Sequence, residues 1–376
     1  MHRSQVHSPI KLNKYGRLVS LDAYRGFIML CFISAGFGFR SLHDNPNWEW
    51  LARQFMHVRW EEIVLDGRVN CVFWDLILPM FLFIVGAAMP FAFAARTVRG
   101  QNRGEQLQHA LKRAVTLFLI GMILNSVLEN RFYFALSGIL QNIAIAYFCA
   151  FLVLGRGIKV QIAVAVGILV FFWAINQFWP GVGPEGPWAR NAKNFGAAFN
   201  HWLHDLFSEK VSFSLGGFQG TSIVIFGIIG GECLLKESSY WAKLRLMIIA
   251  GVTGLVIALV LNPFIPIGKP IGAISYWIYS IGWSFLVLSL FYWLIEVKKY
   301  RKWSFIFQVV GMNSITIYIF KGLMYSSINK WLLVFTGSAI SAIGDIGTIL
   351  QAFLILAVEW YVAYWLYKHK IFIKVG

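Results

Sequence analysis

The sequence predicts an all-α integral membrane protein of about ten spanning helices, forming a single domain over residues 1–376, with both termini cytoplasmic. Three observations carry this expectation. Apolar residues dominate the chain, charged residues are scarce, and the cations concentrate in every second connection between apolar runs.

Composition comes first. The chain is 58% apolar and 13% charged, with a mean hydropathy of +0.64, whereas soluble domains average about 25% charged and 45–50% apolar residues. Lipid rather than water is therefore the expected solvent. Apolar runs near 19–38, 70–95, 111–128, 134–155, 158–179, 218–236, 243–262, 271–296, 304–321 and 346–368 are each about long enough to cross a bilayer. The segment 322–336, with Met324 and Trp331, is amphipathic and is expected at the interface. Residues 39–69 and 180–217 form two long connections rich in Trp, Gly and Asn. The first run begins about 18 residues in without a small-residue cleavage site, which is read as no signal peptide.

Orientation follows from the basic residues. With the N-terminus inside, the inner segments hold 21 of the 33 lysines and arginines, from Arg3, Lys11, Lys14 and Arg17 through Arg96–Arg113 to Lys374. Both long connections then face outward, and the expected location is the inner membrane, as a multi-pass protein. The net charge of +16 lies in short loops, where anionic headgroups meet it, and forms no aromatic-interleaved stripe; nucleic acid is set aside. Three of the four cysteines, Cys31, Cys149 and Cys233, lie within apolar runs, and Cys71 lies at the edge of one. They form neither a disulfide framework nor a metal spacing, and no metal is expected.

Ionisable residues within spans are costly and therefore functional candidates. Asp22 and Arg25, three apart near the inner end of the first span, share a helical face and can neutralise each other; packing explains them at least as well as ligand contact. Asp75 stands four residues before Pro79 near the outer end of the second span. Proline has no N–H, so the Asp75 carbonyl loses its helical partner and the helix should kink. A carboxylate and a freed carbonyl then coincide where a loop enters the membrane, which predicts a pocket.

Histidine is the side chain best suited to proton transfer near neutral pH. His57 lies in the outer loop shortly before the second span, and His43 shares that loop. His201, His204 and Asp205 form an HxxHD pattern that could bind metal on a helical turn, but the signal is weak and solvated loop residues explain it better. No P-loop or nucleophile elbow is present.

The first span, Arg17-Leu18-Val19-Ser20-Leu21-Asp22-Ala23-Tyr24-Arg25-Gly26, resembles the opening of the transmembrane acyltransferases. The second, Trp74-Asp75-Leu76-Ile77-Leu78-Pro79-Met80-Phe81-Leu82-Phe83-Ile84-Val85-Gly86, is similar to a segment of heparan-α-glucosaminide N-acetyltransferase and its bacterial relatives. Gly138–Gln141, Pro266–Lys269 with Ser275, Gly311–Ile315 and Tyr367–Phe372 follow in that family's order. The resemblance implies ten core helices and acetyl transfer from cytoplasmic acetyl-CoA to an amino sugar or glycan acceptor across the membrane. It maps the family's histidine and carboxylate onto His57 and Asp75, as general base or transient acetyl carrier and its orienting partner. Departures stand at Gly36, Asn142, the stretch from Trp60 to Asn70, and Gly272.

For acetyl-CoA, the cofactor-binding candidates are Arg25, Gln141, Lys269, Ser275 and Asn313, the polar ones being equally explicable as interhelical hydrogen bonds. A transporter or flippase of a glycan precursor is the rival class, and a non-catalytic membrane partner of a glycan-assembly complex the third. The expected partners are acetyl-CoA, the acceptor and the bilayer, with homodimerisation left open.

Overall fold

A computed structural model describes residues 18–63, 66–134, 137–181, 186–188, 195–207, 214–236 and 238–372. Arg3, Lys11, Lys14, Arg17 and Lys374, and residues 182–185, 189–194 and 208–213 of the second long connection, lie outside them.

Among the described residues the chain is helical with no strand. In order the helices are α1 (Val19–Ile33), α2 (Glu49–Gln54), α3 (Phe73–Val98), α4 (Arg103–Leu128), α5 (Ile139–Val153), α6 (Ile158–Phe178) and α7 (Phe195–Phe207). There follow α8 (Gly216–Leu235), α9 (Tyr240–Leu261), α10 (Ile274–Tyr292, continued by a π-helical turn Trp293–Val297), α11 (Phe305–Met312), α12 (Ser314–Ala342) and α13 (Asp345–Lys368). Seven helices among the described residues are long and apolar enough to cross a membrane, and α11 with α12, bent by 81° at their junction, passes the same test only when the two are taken together. This is a multi-pass membrane architecture.

Burial sorts these helices. In α3 and α8, 72% and 67% of the apolar window is enclosed by protein, whereas in α4, α6 and α9 only 22% is. The first two form the centre, and the other three turn apolar faces outward, as lipid allows.

Close packing at the centre depends on glycine. A Cβ on Gly86 of α3 would lie 2.1 Å from the Val224 carbonyl oxygen of α8, and one on Gly227 of α8 would lie 2.1 Å from that of Phe83 in α3. Gly231, one turn further on, meets Ala87 in the same way. Gly26 and Gly311 lock α1 to α11, each against the other helix's backbone. Between lipid-bathed helices the gain comes from backbone approach and dispersion, which small residues permit.

Polar side chains tie the ends. The Ser20 amide at the start of α1 donates to Glu296 Oε1 (3.3 Å), whose other oxygen accepts from Arg301 (3.1 Å). Asn102 and Glu105 cap α4 reciprocally, at 2.9 and 3.0 Å. Gln161 of α6 donates to Glu232 of α8 (2.8 Å).

Three expectations need revision. The first apolar run does not stay helical to residue 38: α1 stops at Ile33, and Ala35, Gly36, Phe37 and Gly38 all have positive φ. The run 304–321 is not one straight helix; it breaks at Asn313 (φ −125, ψ 32) with an 81° bend. Residues 322–336 are not a separate interfacial segment but the middle of the 29-residue α12, which contains no proline to stop it.

Replacing Gly86 or Gly227 by Leu should destabilise the fold by about 3 kcal/mol or more, because the obstruction is backbone. Thermal unfolding in detergent measures this. Gly167→Leu on α6, where nothing lies within 4 Å of the built Cβ, should leave the midpoint unchanged.

Candidate functional site

The site is assembled where the start of α3 meets two loops. Asp75, in the first turn of α3, is fully buried. Its Oδ2 accepts from the Val72 amide (3.4 Å), and the Phe73 amide donates to Gln54 Oε1 (3.2 Å). The carbonyl of Asp75, deprived of the residue-79 N–H by Pro79, accepts from the Tyr276 hydroxyl of α10 at 2.8 Å. The orphan acceptor is thereby satisfied inside the bundle.

His57 arrives on the 55–72 loop. The left-handed stretch Ala35–Gly38 aims Phe37 at Phe55 (ring centroids 5.9 Å apart), and Phe55 packs on Phe73 and Trp74 (5.9 and 6.0 Å). Gly36 stands at φ +82, a conformation glycine adopts without strain. The Arg53–Glu62 pair (2.9 Å) braces the loop. On this floor His57 Nδ1 lies 2.7 Å from Asp75 Oδ1, and its ring remains half exposed.

A third group comes from the connection between α9 and α10. The Asn70 amide donates to the Ile267 carbonyl (2.9 Å), Asn262 holds Gly67 and Ile267, and the Ser275 hydroxyl donates to the Pro266 carbonyl (3.0 Å). These bonds fix the turn that delivers Lys269. Its Nζ lies 3.1 Å from His57 Nδ1, 3.3 Å from Nε2 and 4.0 Å from Asp75 Oδ1. Burial lowers the Lys269 pKa, while Asp75 and then Cys71 oppose the fall. Burial, and next the Asp75 charge, pushes the Cys71 thiol up, so it stays protonated.

Away from this cluster, a cavity of about 350 Å³ follows the other half of α3. It is lined by Phe81 to Arg96 of α3, Asp22 and Arg25 of α1, Arg113 of α4, Tyr147 of α5 and Gly311–Ile315 at the α11–α12 break. The lining of α3 spans about 22 Å, and its near end stops about 9 Å along the helix from Asp75, at the α-helical rise of 1.5 Å per residue. Arg25 lies 3.6 Å from Asp22. Arg113 stacks on Tyr147 (4.7 Å), and its buried Nε has no hydrogen-bond partner among the described residues.

The structure thus brings His57, Asp75 and Lys269 together at one end of α3, and Arg25 and Asn313 onto the cavity at the other. Lys269, expected with the cofactor ligands, stands beside the histidine. Ser275 is buried and engaged with Pro266. Gln141 is buried between α4 and α5, beside Gly121 and Gly138. Asn313 donates to the Ile371 carbonyl (3.0 Å). His201 and Asp205 are exposed, and among the described residues no cluster of three or more His, Cys, Asp or Glu could hold a metal ion. The 350 Å³ cavity is not lined by Asp75, which is enclosed by its partners.

Sequence reasoning missed Tyr276, and it left Arg113 within the inner basic loop Arg96–Arg113, available to CoA phosphates but already explained by the charge bias. The freed carbonyl required a donor, but no local pattern says which distant residue supplies it. Arg113 had a signal: it lies ten residues into α4, about 15 Å along the helix, further than a loop cation needs to reach. No family model matches the chain, and no curated protein matches it.

Removing the Tyr276 hydroxyl (Tyr276→Phe) should cost about 1–3 kcal/mol, the penalty for an unsatisfied buried acceptor. In a Pro79→Ala background the N–H of residue 79 can serve the Asp75 carbonyl, and the cost should fall toward zero. Unfolding of the four proteins in a double-mutant cycle measures the coupling.

Proposed function

We propose that this protein is a membrane-embedded acetyltransferase, moving an acetyl group from acetyl-CoA on the cytoplasmic side to an amine or hydroxyl of a sugar on the other. The observation that carries this reading is α3 itself: a half-exposed imidazole backed by a buried carboxylate at one end, and an arginine-bordered cavity at the other.

The membrane topology belongs to the same proposal. The seven long helices and the α11–α12 pair are joined by α1 and α5, each 15 residues and mostly sheathed by neighbours, making ten crossings. The positive-inside bias then puts both termini, and the cavity mouth near Arg96, in the cytoplasm. The His57 end faces outward, across a bacterial-type inner membrane.

The chemistry follows from the geometry. A short Nδ1–H···Oδ1 bond holds His57 in the tautomer that leaves Nε2 with its lone pair. That nitrogen can take a proton from the acceptor as the acceptor attacks the thioester carbonyl, after which the C–S bond breaks and the imidazolium returns the proton to the departing CoA thiolate. Or the nitrogen can attack the carbonyl itself, expel CoA and pass the acetyl group on to the acceptor. Asp75 stabilises the imidazolium formed in the first route. Lys269, beside the ring, is a cation near where the tetrahedral oxyanion develops.

At the cavity, Arg25, Arg96 and Arg113 offer cations to the phosphates of CoA, the Arg113 Nε having no hydrogen-bond partner among the described residues. A pantetheine arm lying along the α3 lining points its thioester toward Asp75, and the remaining stretch must open for transfer.

Purified protein in detergent, given labelled acetyl-CoA and a panel of amino sugars and glycan fragments, should release free CoA and label an acceptor. His57→Ala should lower turnover by at least about a hundredfold, the scale of a lost general base. Arg113→Ala should raise KM for acetyl-CoA more than it changes kcat. A protein that binds the glycan but never consumes acetyl-CoA is a carrier, and this reading is then wrong.

A further inference from the structure

We infer that Gln54 is a positioning residue for His57: by accepting a hydrogen bond from the first amide of α3, it fixes where the imidazole meets Asp75. The functional meaning of this role rests on the catalytic reading of His57 above; its geometry does not.

The first amides of a helix have no partner within it, and the side chain of the residue just before commonly supplies one. At the start of α3 that residue is Val72, whose side chain has no acceptor. Asp75 Oδ2 turns back to the Val72 amide (3.4 Å), and the Phe73 amide is served from another helix, by Gln54 Oε1 at 3.2 Å. Gln54 is the last residue of α2 and stands 19 residues before Phe73. The bond therefore ties α2 to α3 at the turn that carries Asp75.

The chain between Gln54 and His57 is held in turns. The Phe55 amide donates to the Ala52 carbonyl (3.0 Å) and the Met56 amide to that of Arg53 (3.3 Å). Beyond the ring, Glu62 accepts from the Arg59 amide (3.0 Å) and the Arg53 guanidinium (2.9 Å), which closes residues 53–62 into one piece. Among the described residues, two polar bonds fasten that piece to the first turn of α3: Phe73 to Gln54, and His57 to Asp75. The Phe55 ring adds contact with Phe73 and Trp74, but a ring contact tolerates sliding that a hydrogen bond does not. One directional bond leaves the piece free to pivot about it. A second, two residues away on the same turn, removes that freedom. Gln54 acts through His57 and need not touch a substrate.

The test has two arms. In Gln54→Leu, kcat for acetyl transfer should fall by about tenfold to a hundredfold, the scale of a reacting group misplaced by about 1 Å. KM for acetyl-CoA should not change, because the cavity lies along the other half of α3. Gln54→Glu keeps an acceptor oxygen and should recover most of the lost kcat; Gln54→Met serves where the Leu variant does not elute as a folded species. The second arm needs no turnover: thermal midpoints in detergent are read for Gln54→Leu, His57→Ala and the double variant. Losing Gln54 already loosens the contact of His57 with Asp75, so the combined shift should be smaller than the sum of the two single shifts. A combined shift equal to or larger than that sum, a Leu variant with undiminished kcat, or a Glu variant as slow as the Leu variant overturns the inference. A combined shift below the sum in a protein that transfers no acetyl group leaves the inference standing and removes the acetyltransferase reading.

Discussion

Proline at position 79 removes one backbone hydrogen bond from α3, and the site is built around that deletion. The Asp75 carbonyl is left without its helical donor in the middle of protein, and Tyr276 supplies one from α10. This bond does more than satisfy an acceptor. It fixes α3 to α10 at the level of the Asp75 side chain, and α10 begins a few residues after Lys269. The start of α3 and the turn that carries the lysine are thus held in register, and His57 closes over both.

Charge in a low-dielectric interior explains why these residues come as a group. An isolated buried carboxylate is expensive, and Asp75 avoids that cost by taking a hydrogen bond from His57 and a cation from Lys269. The same logic recurs at the other end, where Glu296 caps the start of α1 while Arg301 balances it. One cluster leaves a titratable ring accessible at the surface; the other closes on itself and serves the fold.

The glycine contacts and the cavity divide α3 between them. α3 and α8 approach until backbone touches backbone, α1 and α11 do the same, and the cavity is lined by other residues of α3, Phe81, Val85, Ala88 and Ala92 among them. There the break at Asn313 prevents α11 and α12 from filling the gap as a single rod. The result is a lined cavity along the half of α3 that does not carry Asp75, with arginines set among its apolar walls.

The sequence by itself determined the solvent, the helices and the disturbance at Asp75. Apolar runs and their charge-poor interiors depend on local composition, and a proline cancels a hydrogen bond four residues back whatever the surroundings. His57 was one of several histidines on spacing alone, singled out only through a family resemblance. Tertiary structure decided the rest. Tyr276 is 201 residues from the carbonyl it serves, and Lys269 is 212 residues from the ring it flanks, so no local periodicity could pair them. The end of α1 at Ile33 and the break at Asn313 were likewise hidden. Both lie inside apolar stretches, where composition alone gives no sign of a stop.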